Sequence, residues 1–185
     1  MGKERLTGVL YLGIWVFGYL GIWVFGYSRL LDYKKENLKM NQDLIFPPVF
    51  ALIALTLGVG IWLGKLRFAA VKRGDLNPRY YELNRGGKLP GYLAKVSHNY
   101  DNLLALPILF YVAAIMLFVT AKVEIAQIVM AWVFVTSRYV HSYIHTTYNN
   151  VRHRMKAFML GVVTLVGMWC LFFVRTIQAV PELSR

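Results

Sequence analysis

Cysteine and acidic residues are scarce in this chain of 185 residues. The single cysteine, Cys170, excludes an intrachain disulfide, and its apolar neighbours indicate a small packed or lipid-facing residue. Only 9 Asp and Glu stand against 21 Lys and Arg, which gives a formal net charge of +12. The charges cluster between long uncharged runs, so we expect them at lipid headgroups, with no nucleic acid as a partner.

Several motifs of well-known enzyme classes are also missing. The sequence has no G-x-S-x-G element, no Gly-rich phosphate loop and no H-E-x-x-H. Ser137 and Ser142 have no acidic residue near them in sequence to complete a triad, which argues against a hydrolase. His141 and His145 have the i, i+4 spacing of metal or haem ligands, but arginines rather than carboxylates surround them. We therefore expect no metal site.

Hydrophobic residues make up 57% of the chain, and they form five long runs. Each run approaches the roughly 20 residues that a helix needs to cross a bilayer. Because the runs are continuous rather than alternating, helices are favoured over barrel strands. We predict an all-α polytopic membrane protein with four helices in residues 44–178 and an extra apolar helix before them. The runs cover residues 7–27, 44–64, 102–120, 123–148 and 157–174.

Residues 1–43 form an N-terminal extension with an internal repeat. The segment YLGIWVFG at 11–18 recurs at 19–26, and a shift of eight residues rotates the second copy by about 80° around a helix. A signal peptide is an alternative, although the run is longer than a usual signal core and no A-x-A site follows. We predict an uncleaved apolar helix followed by a mixed-charge linker.

The positive residues predict the topology. The segment 65–95 holds eight Lys or Arg, and the turn at 152–156 is also basic, whereas the turn at 122–124 is nearly neutral. The positive-inside rule places the two basic segments on the cytoplasmic side and the neutral turn on the other side. This alternation fits four spans.

Polar residues form two stripes, both near the predicted cytoplasmic end. Spacings of three and four place the members of each stripe on one helix face. The first stripe contains Arg138, His141, His145, Tyr148 and Arg152. The second contains Lys95, His98 or Asn99, and Asn102.

Two interpretations of these stripes remain open from the spacing alone. An arginine inside a span costs about 2.5–3.5 kcal/mol on insertion scales, so such a group usually faces a bundle interior or a hydrated cavity. The first interpretation is a positively charged pocket between helices for an anionic ligand. The second is interhelical hydrogen bonding, with long side chains reaching the interface.

The residues in and beside these stripes resemble a known family. The segments NYDNLLALPILFY at 99–111 and WVFVTSRYVHSYIHTTYNNVRHR at 132–154 resemble the membrane-associated proteins in eicosanoid and glutathione metabolism, the MAPEG family. The resemblance covers about residues 44–177 and is strongest to small bacterial members, which implies a bacterial inner membrane. It also implies a four-helix transmembrane bundle that forms a homotrimer, with glutathione between neighbouring subunits near the cytoplasmic face.

The resemblance implies roles for individual residues. Arg154, or Arg152, falls where the family has an arginine that stabilises the glutathione thiolate. Arg67 is the expected partner of a glutathione carboxylate. The other ligand-binding positions are Lys95, His98, Asn99, Asn102, Arg138, His141, His145 and Tyr148.

Two positions depart from the family pattern. Asn102 stands where glutathione-using members have a glutamate, and His145 stands where they have a tyrosine. The polar, positively charged stripes and the family resemblance motivate the first hypothesis, a glutathione-dependent transferase or peroxidase acting on lipophilic small molecules. The alternative, motivated by Asn102, is a non-catalytic membrane protein that binds lipid or acts in assembly.

Overall fold

A computed structural model describes residues 41–83 and 89–179. The predicted helix at 7–27 lies outside these residues. Every regular element of the described part is helical, which confirms the all-α prediction. A 3₁₀ turn, Gln42–Ile45, and a single helical turn, Tyr80–Leu83, accompany the five longer helices. These are α1 (Phe46–Lys72), α2 (Gly91–Ala105), α3 (Pro107–Val119), α4 (Ile125–Thr146) and α5 (Val151–Ala179).

Helix α1 has clear start and stop signals. Pro47 and Pro48 lie in its first turn, where a missing N–H leaves no helix hydrogen bond unmade. The helix ends at Lys72, and Gly74, just beyond the cap residue Arg73, has a left-handed φ of 78°. Gly74 N–H then bonds the Val71 carbonyl at 3.0 Å, and Asp75 N–H bonds the Ala70 carbonyl at 2.9 Å. This pair of bonds is the Schellman motif that satisfies the last carbonyls of a helix.

Helices α2 and α3 form one span with an interruption. The two helices are separated by the single residue Leu106, because Pro107 cannot continue the hydrogen-bond ladder of α2. Together they make a candidate span from Gly91 to Val119. The span begins well before the apolar run at 102–120, because the first turns of α2 carry the polar stripe.

Three helical segments of the described chain are long and apolar enough to cross a membrane: Gln42–Lys72, Gly91–Val119 and Val151–Gln178. The remaining helix, α4, has 22 residues, which corresponds to about 33 Å of length. Its polar stripe lowers its hydropathy, although its length is enough to cross a hydrocarbon core about 30 Å thick. The result is a four-helix membrane bundle, with α2 and α3 counted as one span.

The described residues form two apolar cores. One lies in the half that holds the α3–α4 turn and includes Phe110 stacked on Phe134, with ring centroids 4.9 Å apart. The other lies in the polar half and joins α1 to α2. There Tyr100 packs against Gly60, where an added Cβ would lie 3.0 Å from its ring. The close approach fixes α2 beside α1.

The two ends of the bundle differ in their polar contacts. At the α3–α4 turn, Arg175 forms an ion pair with Glu124 at 3.1 Å, and Lys122 donates to Thr176 at 3.0 Å. At the opposite end, Lys95 donates to the Thr147 carbonyl at 3.3 Å. Both polar stripes therefore lie at the same end of the bundle, as the sequence predicted.

Candidate functional site

Arg154, in the first turn of α5, lies at the centre of the polar end. Its Nη1 donates to Asn149 Oδ1 at 2.7 Å and contacts His145 Nε2 at 3.2 Å. A guanidinium only donates, so His145 Nε2 accepts and the proton of the neutral ring is on Nδ1. Within the described residues, Nε and Nη2 of Arg154 make no hydrogen bond. Two donor atoms of this cation therefore remain for a ligand.

His141 is fixed by the backbone of Arg154. Its Nδ1 lies 3.1 Å from the Arg154 carbonyl oxygen. A carbonyl only accepts, so His141 donates from Nδ1, and the lone pair of the neutral ring is on Nε2. That Nε2 is buried and has no hydrogen-bond partner in the described part of the chain. The ring therefore presents a buried acceptor beside Arg154.

Asn99 connects α2 to α4. Its Nδ2 donates to Ser142 Oγ at 2.7 Å, and the asparagine is fully buried. Its neighbour His98 is exposed. Asn99 is thus the member of the second stripe that enters the bundle interior, and His98 lies on the outer side of α2.

Arg138 is the largest fully buried side chain among the described residues, with 1% of its surface exposed. Its Nη2 donates to the carbonyls of Ala157 and Phe158 at 3.4 and 3.1 Å, and its guanidinium carbon lies 5.0 Å from the Phe158 ring centroid. Gly161 leaves the room for it, since a Cβ there would collide with the guanidinium and with Ser137 Oγ. Arg138 therefore joins α4 to α5 inside the bundle.

A small cavity of about 200 Å³ opens beside Arg154. No carboxylate is among its lining residues, and Asp101, next to Asn102 in sequence, is exposed. The cavity therefore combines a cation, an amide and an imidazole with three apolar side chains, a set that suits an anion rather than a metal ion. Its lining consists of Asn102, His141, Val151, Arg154, Met155 and Phe158.

The other predicted site residues lie around or away from this cavity. Arg67 and Lys95 are near the same end, where Arg67 contacts Ser97 Oγ at 3.4 Å and lies over the Tyr81 ring. Burial raises the pKa of the Tyr81 hydroxyl, and the Arg67 charge opposes this shift. The remaining two, Tyr148 and Arg152, are exposed and do not line the small cavity.

Tyr143 and Tyr148, the two tyrosines near His145, do not line the small cavity. Tyr143 is 66% exposed, and the hydroxyl of Tyr148 contacts His153 Nδ1 at 3.2 Å. His145 itself is buried and holds Arg154. At this position of the chain, an imidazole therefore holds Arg154.

Sequence reasoning missed three residues that build the site. Ser142 receives the bond from Asn99, Gly161 makes room for Arg138, and Asn149 holds Arg154. Asn149 has a φ of 49°, a left-handed conformation that asparagine tolerates better than most residues. The pair Asn149–Asn150 between two helical runs was the one signal that pointed to this turn.

Metal binding finds no support in the part of the chain that the structure describes, where no group of three or more His, Cys, Asp or Glu side chains converges. His141 and His145 have ring centroids 5.6 Å apart, and each ring contacts Arg154. His141 therefore contacts the backbone of Arg154, and His145 contacts its guanidinium.

Comparison with known proteins gives one match. No curated protein and no solved structure shows a significant similarity to the chain. The sequence profile of the MAPEG family matches residues 45–174, which include the described helices α1 to α4 and all but the last five residues of α5. This match and the membrane-spanning helices lead to one conclusion: the chain is an integral membrane protein that belongs to the MAPEG family.

Proposed function

We propose that the protein is a glutathione-dependent transferase or peroxidase that acts on lipophilic small molecules within the membrane. The observation that carries this proposal is the arrangement at Arg154, which lines a carboxylate-free cavity with two donor atoms unused by the described residues. Glutathione, when bound, supplies the thiol whose thiolate attacks an electrophile or reduces a peroxide. The family membership supports the same chemistry.

The residues of the cavity suit a thiolate. Arg154 offers a fixed positive charge to sulfur in a site of low dielectric, where such a charge stabilises an anion more than in water. His145 and Asn149 hold the guanidinium in place, so that little reorganisation is needed. His141 Nε2 provides an acceptor for the thiol proton.

The peptide backbone and the two carboxylates of glutathione need further contacts. Asn102 lines the cavity and offers an amide to the peptide backbone, in place of the family glutamate. Lys95 and Arg67 lie at the same end of the bundle and supply positive charge for the two carboxylates. Asn99 and Arg138 do not line the cavity, so we assign them to positioning the helices.

The cavity also suggests that a subunit boundary completes the site. Its volume of about 200 Å³ is below the roughly 300–1,000 Å³ of most small-molecule pockets. We propose that a second subunit of a homotrimer covers the remainder of glutathione, as the family resemblance implies. We also propose a bacterial inner membrane as its location, with the Arg154 end in the cytoplasm.

The test uses the full-length protein purified in detergent with its oligomeric state intact. We expect thiolate absorbance and conjugate formation with glutathione and a chromogenic electrophile. Arg154→Ala is expected to lower kcat/KM by about 100-fold or more, since loss of one anion-stabilising donor costs about that much. Arg152→Ala, a neighbouring exposed arginine, is the control and should keep wild-type activity.

One outcome would favour the non-catalytic alternative instead. Asn102 in the cavity removes the carboxylate that family members use for glutathione, and this observation is its only specific support. A wild-type protein that shows neither thiolate absorbance nor thermal stabilisation by millimolar glutathione, but is stabilised by phospholipid, would overturn the enzyme proposal.

A further inference from the structure

A second, larger cavity lies between α4 and α5. It is an open groove of about 670 Å³, a volume within the range of small-molecule pockets. Its walls are almost entirely apolar, and the hydroxyl of Ser137 on its wall is already bonded to the Phe134 carbonyl at 2.6 Å. The main wall residues are Val129, Trp132, Val133, Val140, Ile144 and Leu160.

This groove and the Arg154 cavity use opposite faces of α5. The groove contacts α5 through residues at 153, 156, 157 and 160, and the cavity through residues at 151, 154, 155 and 158. At 100° per residue, the centres of these two sets lie about 160° apart around the helix. The groove is therefore separate from the proposed glutathione site.

One end of the groove is basic. Tyr148, His153 and Lys156 line it there, and the Tyr148 hydroxyl lies 3.2 Å from His153 Nδ1. The ammonium of Lys156 is exposed and makes no ion pair or hydrogen bond within residues 41–83 and 89–179. A cation, an imidazole and a phenol thus stand at the mouth of an apolar channel, at the same end of the bundle as the basic turn.

The groove has the length of a lipid chain. From Ile144 to Ile128 it follows α4 for 16 residues, or about 24 Å. One leaflet is half of a hydrocarbon core about 30 Å thick, so a chain anchored at Lys156 lies within the groove over its full length. We propose that the groove binds one acyl chain of an anionic phospholipid, whose phosphate is held by Lys156 and His153.

Charge complementarity favours this occupant over a second copy of the chain. Among the described acidic residues, Asp75 pairs with Arg73 and Glu124 pairs with Arg175, whereas Asp43 and Asp101 are exposed and form no ion pair with a described residue. The chain nevertheless carries 21 Lys and Arg against 9 Asp and Glu, so a second copy brings a net positive charge towards Lys156. Anionic headgroups supply it at the membrane surface, and they concentrate in the cytoplasmic leaflet, where the basic turns are predicted to lie.

The test counts lipids bound to the purified full-length protein by native mass spectrometry. Dioleoyl phosphatidylglycerol is added in competition with phosphatidylcholine that carries the same chains. We expect one phosphatidylglycerol per subunit. Lys156→Gln should weaken its apparent affinity about five-fold, which corresponds to the roughly 1 kcal/mol of one lysine near anionic lipid. Lys72→Gln, an exposed lysine at the same end, is the matched control and should change nothing.

A second variant tests the apolar channel. Val140→Trp fills the groove from an exposed position and should abolish the bound lipid without changing the oligomeric state. Equal weakening by Lys156→Gln and Lys72→Gln would overturn the proposal, because it would show only general attraction to anionic lipid. Dissociation of the oligomer by Val140→Trp would also overturn it in favour of a second copy. Stabilisation by glutathione should be the same in Lys156→Gln as in wild type, so the two proposals fail independently.

Discussion

The imidazole of His141 donates from Nδ1 to the backbone carbonyl of Arg154 at 3.1 Å, across the α4–α5 turn. This bond determines which nitrogen of the ring carries the proton. It leaves Nε2 as a buried acceptor within the residues that line the small cavity. This one contact thus joins α4 to the first turn of α5, which carries Arg154, and it also sets the tautomer of His141.

His141→Asn separates these two effects. The asparagine amide reproduces the donor to the Arg154 carbonyl but has no acceptor at the Nε2 position. We expect a thermal unfolding midpoint near that of wild type and a fall in conjugation rate of about 100-fold, the usual contribution of a positioned base. Steady-state kinetics and a thermal scan measure the two. An unchanged rate would show that His141 takes no proton.

Gly161→Ala is expected to destabilise the α4–α5 contact. The added Cβ would collide with the Arg138 guanidinium and with Ser137 Oγ, and overpacking of this kind costs about 1–3 kcal/mol. Gly64→Ala is the matched control in α1, since a Cβ there meets nothing within 4 Å. The control should be neutral or slightly stabilising. The measurement is unfolding in a graded detergent series. Equal unfolding midpoints for Gly161→Ala and Gly64→Ala would contradict the expectation.

Asn99→Ala is expected to weaken the packing of α2 on α4. It removes the 2.7 Å bond to Ser142 from a fully buried position, at a cost of about 1 kcal/mol in a membrane protein. His98→Ala changes an exposed neighbour on the same helix and should be silent. The difference between the two unfolding midpoints is the measured quantity, and a midpoint for Asn99→Ala at or above that of His98→Ala would reject the role of the bond.

Arg138→Met tests whether the buried arginine stabilises the fold. Its Nε and Nη1 have no hydrogen-bond partner in the described residues, and no carboxylate is paired with it there. Replacing such a buried charge by an apolar side chain is often neutral or stabilising by about 1–4 kcal/mol. We expect a free energy of unfolding equal to or above that of wild type. A marked loss would mean that the charge is compensated inside the assembled protein.

Much of the architecture followed from the sequence because hydrophobic runs and helix signals act locally. The uncharged runs gave the spans, and Pro47 and Pro48 marked the start of α1. The break between α2 and α3 was missed although Pro107 was visible, since a single proline inside a long apolar run does not by itself show where the helix stops. The apolar run began only at residue 102 because the polar stripe in the first turns of α2 lowers the hydropathy there.

The residues of the polar stripes were identified from spacing, but their functions could not be. Spacing places Lys95, Asn99 and Asn102 on one face, yet only the packing shows that Asn99 bonds Ser142 while Asn102 reaches the cavity. Arg138 and Arg154 were both expected at the ligand, Arg154 as the residue that stabilises the thiolate and Arg138 as a ligand-binding residue. The structure separates them, because Arg138 turns toward Gly161 inside the bundle and Arg154 lies at the open end.

The sequence by itself determined that this is a helical membrane protein of the MAPEG family with its polar groups at one end. Those properties depend on hydropathy and on the order of residues, both of which are readable along the chain. The tertiary structure alone decided which donors and acceptors remain for a ligand. That outcome depends on contacts between α2, α4 and α5, where each hydrogen bond made inside the bundle removes one group from the site.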